Sequence, residues 1–272
     1  SRQSVSEVRA LLLAAGLGTR LRPITNHYPK CLVPIGGRPL LEHWLCSLYR
    51  SRIQDVWVNL HHHQDIVHGF LSRKCFSDWV NGILEPALLG TAGTLSANAN
   101  IFRNSTTLLA HADNWCQCDF NAFLDFHRRG RPFGTVMTMM TFRTATPESC
   151  GVADIDDQGV VQAFYEKIPN TPTRSNLANG AVYLIEPEIV SRLEKRPQIS
   201  DFSTEVIPEF LGRIATWENT GIHRDIGVIH SLLAAQDDPP PKPCWSHKDD
   251  WMDNYEKSQV HSHLADARQL LS

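Results

Sequence analysis

The stretch LLLAAGLGTRLRPITNHYPKCLVPIGG, residues 11–37, decides the fold. It sets Gly16, Gly18, Gly36 and Gly37 together with Arg20, Arg22 and Lys30, all behind an apolar run. That run, residues 8–14, is apolar except for Arg9 and leads to Gly16. It reads as a strand buried on both faces, as in a parallel sheet. Two phosphate-binding loops can follow such a strand, and both fail here. A dinucleotide fingerprint needs G-x-G-x-x-G and an acid near the end of the second strand. Here Leu21 stands where the third glycine belongs, and the second strand ends in Asn59-Leu60-His61 without a carboxylate. A Walker A loop needs Gly-Lys-Ser/Thr directly after its glycines, and none is present. What remains is a glycine-rich turn whose backbone N–H groups can approach phosphate oxygens. Arginine forks and a mobile lysine charge follow it. A nucleoside triphosphate needs such a cradle.

Outward from this stretch, the chain alternates strands and helices. Residues 39–49 carry apolar side chains at helical spacing. Strands are expected at 55–60, 82–85 and 106–110, and helices at 64–71, 91–101 and 120–129. The alternation predicts an α/β fold: a Rossmann-like mixed, mostly parallel sheet flanked by helices. The second half changes character. Strands at 135–142, 152–156, 160–165 and 181–185, with the hairpin signal DDQG at 156–159, predict a smaller antiparallel part. A helix is expected at 202–211. The run DDPPPKPCW, residues 237–245, breaks the chain. The expected organisation is a domain over 1–236 and a tail over 237–272, a linker plus a short helix at 264–271. Trp245, Trp251 and Tyr255 of that tail are expected to pack on the body.

The 272 residues carry a net charge of −3, with 42% hydrophobic and 20% charged residues. No global field favours nucleic acid or an anionic membrane, so any anion site is built locally. No apolar run reaches the roughly 18 residues a spanning helix needs. No secretory leader is visible. The seven cysteines are scattered, odd in number and without Cys-x-x-Cys spacing. They predict reduced thiols and a cytoplasmic location.

The segment LLAAGLGTRLRPITNHYPKCLVPIGGRPLLEH closely resembles the signature of the sugar-1-phosphate nucleotidyltransferases, also called nucleotide-sugar pyrophosphorylases. The resemblance continues in order. EPALLGTAGTL looks like the family's base-recognition loop, and LLAHADN like the strand ending in a metal-binding aspartate. CGVADIDDQGVV and FYEKIPN resemble sugar-binding strands, NGAVYLI a further sugar contact, and HRDIGV the second metal aspartate. The match runs from about residue 8 to residue 235 and is closest to the mannose/heptose-1-phosphate guanylyltransferase branch. It implies a GT-A-like nucleotidyltransferase domain whose antiparallel part binds the sugar.

The implied reaction joins an NTP and a sugar 1-phosphate to give an NDP-sugar and pyrophosphate by in-line attack. Positioning and charge stabilisation carry such catalysis. On the resemblance, Arg20 clamps the leaving pyrophosphate, Lys30 neutralises the α-phosphate, and Asp113 and Asp225 hold Mg²⁺. Asp113 also counts among the catalytic residues. Leu13, Ala14, Ala15, Gly16, Gly18, Thr19, Arg20, Glu85, Gly90, Thr91 and Ala92 line the nucleotide. Gly151, Glu166, Lys167 and Asn179 hold the sugar phosphate.

Glu85 stands where relatives using UTP or dTTP commonly carry Gln. A carboxylate only accepts hydrogen bonds. Guanine offers it two adjacent donors, whereas uracil flanks its one donor with two carbonyls. GTP is therefore the expected nucleotide. The sugar is mannose 1-phosphate or a related hexose or heptose 1-phosphate. A UTP- or CTP-dependent enzyme is the alternative within the class. A non-catalytic sugar-nucleotide-binding regulatory subunit is the alternative outside it. A homo-oligomer is left open. His61, His62 and His63 read as loop residues, because neighbours on an extended chain point in alternate directions. The pattern is departed from at Ala112, where glycine commonly precedes the metal aspartate, and at EKIP, one residue longer than the usual EKP.

Overall fold

The computed structural model describes residues 8–272; residues 1–7, counted in the expected first domain, lie outside the described residues. The chain divides into two compact units. One takes in the chain up to Leu11, Leu89–Ala110 and Gln117–His223; the other Leu12–Leu88, His111–Cys116 and Arg224–Ser272. Residues 237–272 are part of the second unit. The fold class expected from the sequence is observed: a mixed, mostly parallel sheet flanked by helices, with small antiparallel pieces.

In the first unit the strand order is Val161–Glu166, Gly151–Ile155, Leu177–Ile185, Thr106–His111, Val8–Leu13. Met137–Arg143 also pairs with Leu177–Ile185 and carries Ile214–Glu218 parallel on its other side. Runs of consecutive residues in the central strands, such as Leu108–Ala110 and Val182–Ile185, are fully buried and form the core with Phe202 and Phe210. The DDQG signal closes its hairpin as expected, the Asp156 carboxylate accepting from the backbone N–H groups of Gln158 and Val160 at 2.9 Å. The helix expected over 91–101 is divided into Thr91–Ala97 and Ala99–Phe102. The Asn98 side chain donates to the Thr94 carbonyl at 2.8 Å, and such side-chain competition for the backbone interrupts a helix. The helix expected over 202–211 stops at Glu205 and resumes as a 3₁₀ turn, Ile207–Phe210. Pro208 has no N–H to continue the ladder.

In the second unit Val56–Leu60 runs parallel to Val80–Leu84. The helices Leu40–Arg50 and Gln64–Leu71 belong to this unit. The C-terminal segment is also built into it. Beyond the expected terminal helix, here Gln259–Leu271, the segment forms a helix Asp250–Glu256, capped by the Asp249 side chain. Buried Arg73 docks this helix: its Nε and Nη2 donate to both Asp249 oxygens at 2.7 and 3.1 Å, and Nη1 lies 3.6 Å from Glu42. Its guanidinium sits 5.0 Å over the Trp251 ring and 5.5 Å over Phe70 and Phe76. Removing a cation from water requires such anionic and π-face partners.

Cys46 and Cys244 are joined by a disulfide, contrary to the expectation that every thiol is reduced. The two residues are 198 apart in sequence, so no local spacing announces the bridge. Seating of the tail on the helix Leu40–Arg50 brings their Cα atoms to 5.7 Å, within the range a disulfide spans. The other five cysteines are free. Among the described residues no helix is long and apolar enough to cross a membrane.

His43 makes the second unit sensitive to acid. It is buried edge-on against Trp115 and hydrogen-bonded through Nε2 to the Ile35 carbonyl at 2.9 Å. Burial pushes its pKa from 6.5 down to about 4, against the raising effect of the Ile35 bond. The charged form is disfavoured in the fold, so this stability is complete above pH 6.5. It is lost as the pH falls towards about 4, amounting to on the order of 3 kcal/mol. Urea unfolding between pH 7 and pH 4 will show a steeper loss in the wild type than in His43→Gln, which keeps a donor but cannot protonate.

Candidate functional site

The strand Val8–Leu13 hands the chain, at Leu12 and Leu13 of the second unit, to a loop that turns outward. Gly16, Thr19 and Arg20 are exposed, while Leu21, Thr25 and Lys30 turn back into the protein. Gly18 sits at the turning point with φ +64°, and a Cβ there would lie 2.9 Å from the Thr25 methyl and 3.0 Å from the Lys30 Cβ. Only glycine serves that conformation without strain. Just upstream, the Ala112 N–H donates to the Leu13 carbonyl at 3.0 Å. Ala112 thus continues the backbone pairing despite replacing the usual glycine. The Ala14 N–H donates to the Asn59 side-chain oxygen at 2.6 Å.

Lys30 and Asp113, 83 residues apart, meet at 2.8 Å. The Lys30 side chain is 11% exposed and that of Asp113 34%, so the lysine is sunk and the carboxylate reaches toward solvent. Burial acts to raise the Asp113 pKa; Lys30, His111 and hydrogen bonding outweigh it and hold the carboxyl below its ordinary value. Asp225 is tied to the same place through its neighbour, the Ile226 N–H donating to the Asp113 carbonyl at 3.1 Å. Gly227 completes the turn. A Cβ on it would stand 2.9 Å from Arg20 Nη2 and 3.2 Å from Asp225 Oδ1. Arg20, Lys30, Asp113 and Asp225 are therefore gathered within one unit. Among the described residues no group of three or more His, Cys, Asp or Glu side chains is arranged to hold a metal. The donor set on offer is two carboxylates, which suits a hard ion that takes its other ligands from phosphates and water.

Glu85 is buried, with Oε2 3.3 Å from the Asn59 amide nitrogen. Asn59 thus joins Ala14 to Glu85. The signal for it in the sequence is a polar residue near the end of an otherwise apolar strand, VWVNL. His61 reaches the Glu85 carbonyl through Nδ1 at 2.8 Å. The three histidines lie in and beside the turn after that strand, His63 in the left-handed conformation.

Gly90, Thr91 and Ala92 belong to the first unit. The Ala92 N–H already donates to the Ser200 carbonyl at 2.7 Å, and Thr91 Oγ1 accepts from the Phe202 N–H at 2.8 Å. The remaining expected residues are also in this unit. Glu166 pairs with Gly151 across the hairpin. Half-burial raises the Glu166 pKa; Asp201 adds to the rise, while Lys167 and Ser203 oppose it. Lys167 is exposed and left-handed at φ 51°, its Nζ 4.0 Å from Glu166. Asn179 donates to the Tyr183 hydroxyl at 2.6 Å and accepts from the Ala181 N–H at 2.9 Å. Ser203 hydrogen-bonds both Glu166 and Tyr183. No motif spacing in the sequence connects Tyr183, Asp201 and Ser203 to Glu166.

Cationic groups and carboxylates collected at the carboxyl ends of strands mark the place where open α/β sheets bind their ligands. The second unit is of that class. A family model described as nucleotidyl transferase matches residues 9–240. The chain belongs to that family. It is 27% identical over 237 residues to the mannose-1-phosphate guanylyltransferase of Mycobacterium tuberculosis, covering 85% of this chain and 64% of the relative. It is 26% identical over 233 residues to the mannose-1-phosphate guanyltransferase of Saccharomyces cerevisiae, covering 84% and 63%. The chain thus spans under two thirds of the length of these curated relatives. Its fold is similar to that of HddC from Yersinia pseudotuberculosis, also solved in complex with GMP-PN. That match has TM-score 0.69, 22% identity, and covers 84% of this chain and 98% of that one. A Bacillus anthracis protein assigned as a glucose-1-phosphate thymidylyltransferase superposes with TM-score 0.75 at 23% identity, covering 87% and 98%.

Asn59→Ala will strip Ala14 of its acceptor and leave Glu85 short of a buried donor. Stability should fall by about 1–3 kcal/mol, measured by chemical unfolding at pH 7.

Proposed function

We propose that this chain transfers a nucleoside monophosphate from an NTP, GTP by preference, to mannose 1-phosphate or a related hexose or heptose 1-phosphate. The products are an NDP-sugar and pyrophosphate. The observation that carries the reading is the Lys30–Asp113 pair at 2.8 Å, with Asp225 held alongside through Ile226, in a chain of the nucleotidyl transferase family.

A sugar phosphate oxygen attacks the α-phosphorus; a new P–O bond forms as the bond to the pyrophosphate oxygen breaks, its electron pair leaving with pyrophosphate. No covalent enzyme intermediate is required. Lys30 offers its ammonium to the α-phosphate as negative charge grows there, and Asp113 holds that ammonium before substrate arrives. Arg20, exposed on the glycine-rich loop, offers a fork to the leaving pyrophosphate. Asp113 and Asp225 would hold Mg²⁺, whose positive charge offsets the repulsion between the two phosphorylated substrates. On this reading Glu166 and Asn179 of the first unit serve as acceptor and donor for sugar hydroxyls, and Lys167 as a cation for the sugar phosphate.

The preference for GTP rests on Glu85, which stays a pure acceptor when ionised. The names of the relatives, and of the HddC complex with GMP-PN, support the same base.

Four NTPs assayed against a panel of sugar 1-phosphates, with Mg²⁺ or with EDTA, test the reading through pyrophosphate release. GTP with mannose 1-phosphate should be the most active pair, and EDTA should abolish it. Lys30→Ala and Asp113→Ala should each cost about a hundredfold or more in kcat. Glu85→Gln should weaken GTP use relative to UTP. Absence of pyrophosphate in every combination would sink the proposal.

A further inference from the structure

Tyr255 lies outside the residues matched by the family model, yet it is fully buried in the second unit. Its hydroxyl donates to the Leu32 carbonyl at 2.6 Å. Its ring meets Tyr28 edge-on at 5.7 Å. Leu32 is the last residue of the 3₁₀ turn Lys30–Leu32, and Tyr28 stands two residues before Lys30. The tail tyrosine therefore grips the short segment that carries Lys30 at both ends.

That segment has few restraints of its own. Its internal backbone bonds are those of one turn, Leu32 N–H to Pro29 and Val33 N–H to Lys30 at 3.0 and 3.2 Å. A single 3₁₀ turn is a weak support. The Leu32 carbonyl needs a donor in this dry interior, and a phenol supplies it without adding charge. Tyr255 is itself held firmly. It stacks on Trp251 at 5.1 Å, and the capping residue of its helix, Asp249, is bound to Arg73.

We propose that Tyr255 is a positioning residue for the reaction. Acting through the Leu32 carbonyl, it fixes the turn that aims the Lys30 ammonium at Asp113 and at the α-phosphate. The proposal rests on the reading of Lys30 given above.

The test is Tyr255→Phe in the full chain, which keeps the ring and removes only the hydroxyl. Two readouts keep the proposal and the assigned reaction apart. In the first, lysines are dimethylated with ¹³C and the Lys30 signal is identified by its loss in Lys30→Arg. That signal should move in Tyr255→Phe while those of Lys167 and Lys195 stay in place. In the second, kcat for pyrophosphate release should fall about tenfold with KM for NTP little changed. In a Lys30→Ala background the same substitution should cost nothing further. Asp249→Asn, which loosens the helix and spares the hydroxyl, should give a smaller change in both readouts, and it serves if Tyr255→Phe does not fold. A shifted Lys30 signal in a protein without transferase activity would uphold the brace and discard the reaction. An active protein whose Lys30 signal and kcat ignore Tyr255→Phe would overturn the proposal. So would losses that add in the Lys30→Ala background.

Discussion

A lysine sunk as deeply as Lys30 cannot stand alone. An isolated ammonium in a low-dielectric interior costs far more than any single hydrogen bond returns, so its place is set by the nearest anion. Asp113 is that anion, and the rest of the second unit follows from bringing the two together. Gly18 must lack a side chain because the Thr25 methyl and the Lys30 Cβ approach it closely. Asp113 must leave its strand where its carbonyl can accept from Ile226. That bond in turn fixes Asp225, and Gly227 must be bare to leave room for Arg20. One buried charge pair therefore dictates the identity of two glycines and the position of two further charged residues.

The C-terminal segment obeys the same rule at Arg73. Its guanidinium is shared between Glu42 of the helix Leu40–Arg50 and Asp249 of the tail, and roofed by Phe70 of the helix Gln64–Leu71 and Trp251 of the tail. The buried arginine needs both acids, whereas Glu42 is also paired with Arg38 at 2.7 Å and Asp249 keeps part of its side chain in solvent. The tail is thus part of the core of the second unit. That explains why Trp245, Trp251 and Tyr255 pack inward.

What could be read from the sequence was local. The strand at residues 8–14 and the helix 64–71 were legible because apolar periodicity and turn residues act within a few positions. The charged residues of the glycine-rich loop were legible because the motif order preserves them. Long-range contacts left no such trace. Nothing in the spacing of Cys46 and Cys244 indicates that they meet, and the polar run 237–245 reads as a break although it leads to a docked helix. Asn98 and Pro208 were visible as residues, but their effect on helix length depends on which carbonyl is within reach. Glu85 was readable as an acceptor; that its carboxylate is steadied by Asn59, which also serves Ala14, needed the backbone in place. Ser203, between Glu166 and Tyr183, is the clearest case of a group that no motif could have exposed.

The two units carry opposite kinds of polar chemistry, and this bears on what each can recognise. In the second unit the groups are full charges, Lys30 against Asp113 and Arg20 near Asp225, suited to ligands whose own charge does not vary with orientation. In the first unit Asn179, Tyr183 and Ser203 present amide and hydroxyl groups around one half-buried acid, Glu166. Hydroxyl rotors and amides can each donate or accept, so under the proposed function such a network would select a sugar by the direction of its hydroxyls. A chain with a net charge of only −3 can hold a polyanion only where cations are concentrated locally. A polyol adds a second demand, directional donors and acceptors, which Asn179 and Ser203 offer beside the charges of Glu166, Lys167 and Asp201.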